Sequence, residues 1–209
     1  YTGFDLFEDA TFELDRKEQN VKPHNNFDAV KKRLEDFAHK MKEDKKTFTF
    51  TLIKGDSRET MPKAKKELKK ADFAFIDGGH SIDTVNSDFD FCKDFPVIVM
   101  DDYYTEDTEG KIPSKEFQGV NKLYNDVLGG TDRTGKQRRQ IISSNDRVAE
   151  GGHVNLVLIL NDTKLDSPPD FHRVPVQVQP RDCVPPDNIQ DNVLDNLKLF
   201  KGKMIHRCY

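Results

Sequence analysis

Acidic side chains stand where extended, apolar runs of the sequence end: Asp5, Asp56, Asp77 and the adjacent pair Asp101 and Asp102. The runs they follow cover 1–5, 48–53, 71–76 and 96–100, rich in β-branched and aromatic residues. If these are parallel strands of one sheet, the carboxylates project to a common rim, where α/β sheets gather their ligands. Carboxylates so placed can accept hydrogen bonds from ribose hydroxyls or an adenine amino group, and several together can hold a hard cation such as Mg²⁺. Any one of these aspartates is as readily explained as a loop residue or a helix cap. Their joint placement is what points to a site. His80, after Gly78-Gly79, adds a group that titrates near neutral pH, suited to taking a proton from a hydroxyl. A histidine there can equally bond a neighbouring loop or cap the helix that follows. Asp101 and Asp102 can reach one ion only if the chain turns between them, because consecutive strand residues face opposite sides. Tyr103 and Tyr104 either wall a substrate pocket or pack over the strand ends.

The elements that must position these residues are legible as patterns. Asn26 caps a predicted helix with Phe27, Val30, Leu34, Phe37 and Met41 on one stripe. Asp56 and Glu59 have capping-box spacing ahead of a Lys-rich helix to about Lys70. The stretch 71–76 is almost wholly apolar, as a strand buried on both faces must be. Ser81 caps a helix carrying Ile82, Val85, Phe89 and Cys92, and a second buried strand over 96–100 follows, ending at Asp101-Asp102. Strand, acidic loop, helix, strand has then repeated, which predicts a parallel α/β sheet with helices on both faces.

Beyond Asp102 a polar stretch to Lys115 reads as a loop or lid. A helix with Val120, Leu123, Tyr124 and Val127 then stops at Gly129-Gly130. Strands over 140–144 and 154–160 predict a closing antiparallel pair. Six of the ten prolines fall between Pro168 and Pro186, which reads as an extended linker. A short amphipathic helix over 187–200 with Ile189, Val193, Leu197 and Phe200 follows it.

Composition narrows the class. The chain has 209 residues, with 33 Lys+Arg against 37 Asp+Glu, and this acidic balance argues against a nucleic-acid partner. The runs Lys63-Lys65-Lys66-Lys69-Lys70 and Arg133-Lys136-Arg138-Arg139 read as solvated faces. No apolar run is long enough for a membrane span, and the first residues lack the order of a signal peptide, so a cytoplasmic location is expected. Cys92, Cys183 and Cys208 are scattered and odd in number, which excludes a disulfide framework and predicts buried or idle thiols. The chain opens on a strand already in progress, which leads to the expectation of further sequence upstream and of further domains in the same polypeptide.

Phe75-Ile76-Asp77-Gly78-Gly79-His80-Ser81, then Asp88, then Val97-Ile98-Val99-Met100-Asp101-Asp102-Tyr103, resembles the class I S-adenosylmethionine-dependent methyltransferases. The nearest branch is the small-molecule O-methyltransferases of the macrocin and cephalosporin-pathway type. The resemblance implies a Rossmann-like sheet and an O-methyltransferase acting on a small hydroxylated, sugar-like substrate. It places Asp5 on the ribose hydroxyls of the cofactor, Asp56 and Ser57 beside the adenine, and Asp77 with Gly78 at the methionine end. Asp77, Asp101 and Asp102 would form a Mg²⁺ site, and His80, with Asp77, would be the catalytic pair. The glycine-rich loop that follows the family's first strand is absent, and is expected upstream of Tyr1. The resulting division is a methyltransferase-like domain over 1–160, a linker over 161–186 and a helix and tail over 187–209. A catalytically inactive methyltransferase-like interaction module, and a sugar-nucleotide transferase using the same carboxylates, are the competing readings. Whether the chain forms a homo-oligomer stays open.

Overall fold

The computed structural model describes residues 1–18, 23–64, 68, 71–133, 135–143, 148–149, 152–161 and 204–206. Its centre is a sheet ordered β2-β1-β8-β3-β4-β7-β5. The strands are β1 (Thr2–Asp5), β2 (Thr51–Lys54), β3 (Phe73–Ile76), β4 (Val97–Glu106), β5 (Gln137–Ile142), β6 (Val148–Ala149), β7 (Gly152–Asn161) and β8 (Met204–His206). β1 to β4 and β8 run parallel, with Asp5 in register with Lys54 and Ile76 with Met100. β7 lies antiparallel to both β4 and β5, which realises the expected closing pair, and β6 adds a short hairpin arm to β7.

The helices are α1 (Phe12–Glu18), α2 (Phe27–Glu43), α3 (Ser57–Ala64), α4 (Ile82–Cys92) and α5 (Gly119–Lys122), the last continued by a wider turn over Leu123–Val127. Asn26 caps α2 by accepting from the Asp28 and Ala29 N–H groups, and Ser81 caps α4 through the Thr84 N–H, both as the sequence indicates. The turn after α5 ends at Gly129 and Gly130, each with φ 75°, a conformation that glycine alone adopts without strain. Among the described residues no helix is long and apolar enough to cross a membrane.

Strand alternation divides the core. Phe4, Ala74, Ile76, Ile98, Met100, Val157 and Ile159 face Met61, Val85, Phe89 and Leu123 from α3, α4 and the turn after α5. Phe73, Phe75, Val97, Leu158 and Leu160 form a second, smaller cluster. All four residues of β3 are buried, as its apolar run requires. Each fully buried large side chain in such a core contributes about 2 kcal/mol.

The structure departs from the sequence reading in three places. β4 does not stop at Asp101-Asp102 but continues to Glu106, so part of the expected lid is strand. α1 carries no apolar stripe and is not foreseen; it buries none of its side chains. Three residues of the expected tail, Met204–His206, lie in the main sheet between β1 and β3. Of the expected linker over 161–186, Asn161 is the last residue of β7; the remainder, and the expected helix over 187–200, lie outside the described residues.

Candidate active site

The carboxyl ends of the parallel strands bring Asp5, Asp56, Asp77, Asp101 and Asp102 to one edge of the sheet, by the register of β1 with β2 and of β3 with β4. On the β3–β4 half, a pocket is lined by Gly78, His80, Asp101, Asp102, Phe117 and Val120, among others. What lets two adjacent aspartates share it is a bulge. The pairing of β4 with β7 shifts between Met100 and Tyr103, and Asp102 sits at φ 61°, in the left-handed region. A non-glycine residue there costs about 1–2 kcal/mol. The chain thus turns between the two acids, as their joint use demands, and the Asp101 carboxylate steadies the turn by accepting from the Asp102 N–H at 2.8 Å.

His80 Nε2 lies 3.1 Å from Asp102 Oδ2, and both side chains are 16% exposed. The Tyr104 hydroxyl donates to Asp102 Oδ1 at 3.2 Å, and its ring meets the His80 ring edge to face, centroids 6.3 Å apart. Tyr104 is buried and does not line the pocket; it packs behind the His80–Asp102 pair. The His80 main chain is also held: its carbonyl accepts from the Gly119 N–H at 2.9 Å. A Cβ at residue 119 would lie 2.5 Å from that carbonyl oxygen, so glycine is required there for the close approach. The N–H of the same peptide unit, that of Ser81, donates to Glu18 Oε2 at 2.8 Å.

The β1–β2 half of the edge is arranged differently. Asp5 is buried and accepts from the Phe7 N–H at 2.8 Å. Asp56 accepts from the Arg58 N–H at 2.9 Å and is gripped by the Arg58 guanidinium, whose Nε lies 3.0 and 3.1 Å from its two oxygens. Ser57 is buried, and its hydroxyl has no hydrogen-bond partner among the described residues. Such an orphaned donor beside a carboxylate suits a polar ligand that would satisfy it. The structure thus joins Gly78, His80, Asp101 and Asp102 in one pocket, leaves Asp5, Asp56 and Ser57 across β8, and sets Asp77 one residue past the end of β3.

The expected Mg²⁺ site at Asp77, Asp101 and Asp102 finds no support. Among the described residues no three His, Cys, Asp or Glu side chains are grouped to hold a metal ion. The physical reason lies in the contacts above: Asp102 is turned to His80 and Tyr104, and Asp101 to its neighbour's N–H.

Residues 1–103 match the family model of a methyltransferase domain. The match covers just under half of the chain and spans the acidic strand ends and the His80–Asp102 pair. Over these residues the chain is similar to methyltransferase domains. No curated protein matches the chain. Within the matched residues, the carboxylate edge and the unsatisfied Ser57 hydroxyl are compatible with a nucleoside-bearing cofactor.

Sequence reasoning missed Glu18 and Asn121. The first had no signal, because α1 has no amphipathic pattern. Asn121 had a faint one: an amide interrupting the apolar face of Val120, Leu123 and Tyr124.

Proposed function

We propose that this methyltransferase domain transfers a methyl group to the hydroxyl oxygen of a small, hydroxylated molecule, with His80 as the general base. The observation that carries the reading is the His80–Asp102 pair at the carboxyl edge of the sheet. Asp102 faces Nε2, so the carboxylate favours the tautomer protonated there and leaves the basic lone pair on Nδ1. In this reading Nδ1, which is buried in the structure, takes the hydroxyl proton of an acceptor seated in the pocket that His80 lines as the oxygen attacks, and Asp102 stabilises the imidazolium that results. Tyr104 holds Asp102 in that orientation.

S-adenosylmethionine, when bound, supplies an electrophilic methyl group on sulfur. In this reading Asp5 accepts hydrogen bonds from its ribose hydroxyls, Asp56 and Ser57 lie beside its adenine, and Asp77 and Gly78 border its methionine end. Among the described residues no group of three His, Cys, Asp or Glu side chains would hold a metal ion, so the proton passes to His80 alone in this reading.

Isothermal titration with S-adenosylmethionine tests the cofactor half, and methyl transfer to a panel of hydroxylated small molecules tests the chemistry. His80→Ala is expected to lower kcat on the order of 10²- to 10⁴-fold, the range a positioned base supplies, and to leave cofactor affinity unchanged. A wild-type protein that binds no cofactor would sink the proposal, as would a His80→Ala variant with unchanged turnover.

A further inference from the structure

We infer that Glu18 is a positioning residue for His80, acting through the loop between β3 and α4; this rests on the reading of His80 as the base. Glu18 ends a helix that buries nothing, yet its carboxylate takes three hydrogen bonds. Oε2 accepts from the Ser81 N–H at 2.8 Å, and Oε1 accepts from the Ser81 hydroxyl at 2.9 Å and the Thr84 hydroxyl at 2.7 Å. Bonds to an ionised acceptor are roughly twice as strong as neutral ones, and the carboxylate also faces the positive end of α4.

A cap for α4 would not need this. Ser81 already caps the helix locally. What Glu18 adds is a hold on the amide that directly follows His80. With the His80 carbonyl bound by the Gly119 N–H, the peptide unit that follows the imidazole-bearing residue is held at both its oxygen and its N–H. The preceding residues, Gly78 and Gly79, otherwise leave this loop the widest conformational choice of any residue pair. Glycine at 79 also has a specific reason: a Cβ there would run into the Glu18 carboxylate. The loop is therefore built to admit Glu18, and Glu18 removes the freedom that the glycines bring. The imidazole is left aimed at Asp102.

The test compares Glu18→Ala and Glu18→Gln with the wild type in three readouts: the nitrogen-15 signature of the His80 tautomer, kcat against KM for methyl transfer, and the thermal midpoint. In Glu18→Ala the His80 signal is expected to move from one tautomer towards an average of two. Its kcat should fall on the order of 10- to 100-fold, as displacement of a reacting group by about 1 Å does, with KM for the cofactor unchanged. Glu18→Gln should recover most of this, since its amide still accepts from the Ser81 N–H and can donate to the two hydroxyl oxygens. An unchanged His80 signal in Glu18→Ala overturns the inference, and so does an effect in both variants that tracks the thermal midpoint alone. If Glu18→Ala does not fold, Thr84→Val removes one of the three bonds with little change in shape, and no shift of the His80 signal there overturns it equally. A wild type without methyl transfer would defeat the base assignment, while the tautomer signal would still decide the role of Glu18.

Discussion

The side-chain amide of Asn121 stands beside Tyr104 where a neighbouring strand would be: its Oδ1 accepts from the Tyr104 N–H at 2.9 Å and its Nδ2 donates to the Tyr104 carbonyl at 2.7 Å. β3 pairs with β4 up to Ile76 and Met100, so β4 needs another partner for its main chain beyond that point. On the β7 side, the Asn155 amide donates to the Tyr103 carbonyl at 3.1 Å. Two asparagines thus hold the strand just after the bulge that strains Asp102, and their bonds offset the cost of its left-handed backbone.

Asn121→Ala should accordingly be destabilising out of proportion to its size. It leaves the N–H and the carbonyl of a buried residue without these partners, which costs about 2–4 kcal/mol in total. The measurement is a urea titration, with the midpoint lowered at unchanged slope. A midpoint equal to the wild type's would show that water or a relaxed strand can replace the amide.

Gly119→Ala and Gly79→Ala separate two kinds of crowding. The Cβ at 119 would meet the His80 carbonyl oxygen at 2.5 Å and the Ser81 carbonyl carbon at 2.9 Å, both main-chain atoms that cannot swing aside. That substitution should cost about 1–3 kcal/mol and lower the thermal midpoint. At 79 the new methyl meets the end of a flexible glutamate, which can swing away, so the thermal midpoint should fall less while the contacts of Glu18 with Ser81 and Thr84 are lost. Equal midpoints for the two variants would contradict this.

How far the sequence could be read follows from where the information lies. Helix caps at Asn26 and Ser81, the wholly apolar β3 and the glycine stop at 129 and 130 are local signals, and each recurs in the structure. The carboxylate edge was legible too, because strand ends and acids coincide in the chain. The pairing of His80 with Asp102 was not, since it depends on a bulge set by register against β7, a partner far along the chain. For the same reason the metal expectation was natural from adjacent acids but ignored that a turned Asp102 would face an imidazole. Glu18 and β8 are wholly long-range: neither the α1 segment nor Met204–His206 carries a pattern that announces its destination.

Cys92 offers a check on the core. It is 1% exposed, and burial first, then the nearby Asp88 charge, pushes its thiol well above the usual range. The reading of this cysteine as an idle, buried thiol holds. Alkylation mapped to Cys92 by mass spectrometry should proceed no faster than the opening of the fold, and should quicken in urea in step with unfolding. Rapid labelling under native conditions would mean that α4 leaves the sheet far more readily than its packing implies.

The acid limb of stability should depend on Glu8. Its carboxylate ties together three elements, accepting from Lys54 Nζ at 2.6 Å at the end of β2 and from the Phe27 N–H at 2.7 Å at the start of α2. The Lys54 ammonium first, and the Phe27 amide second, hold its pKa at about 2, below the ordinary 4.5. A group whose pKa is depressed on folding contributes stability that is complete above the unfolded value and is lost as pH falls through the folded one. The window is therefore from 4.5 down to about 2. Lys54 works in the opposite sense: Asp9 first and then Glu8 raise its pKa above 10.5, so its contribution is present below that pH and is lost on the alkaline side. Glu8→Gln removes the titrating carboxylate while keeping an acceptor for the Phe27 N–H. Urea midpoints measured across the acid window should fall less steeply for the variant than for the wild type, and added salt should narrow the difference, because the pair is open to solvent. Parallel acid profiles for the two proteins would mean that Glu8 is no better held in the folded chain than in the unfolded one.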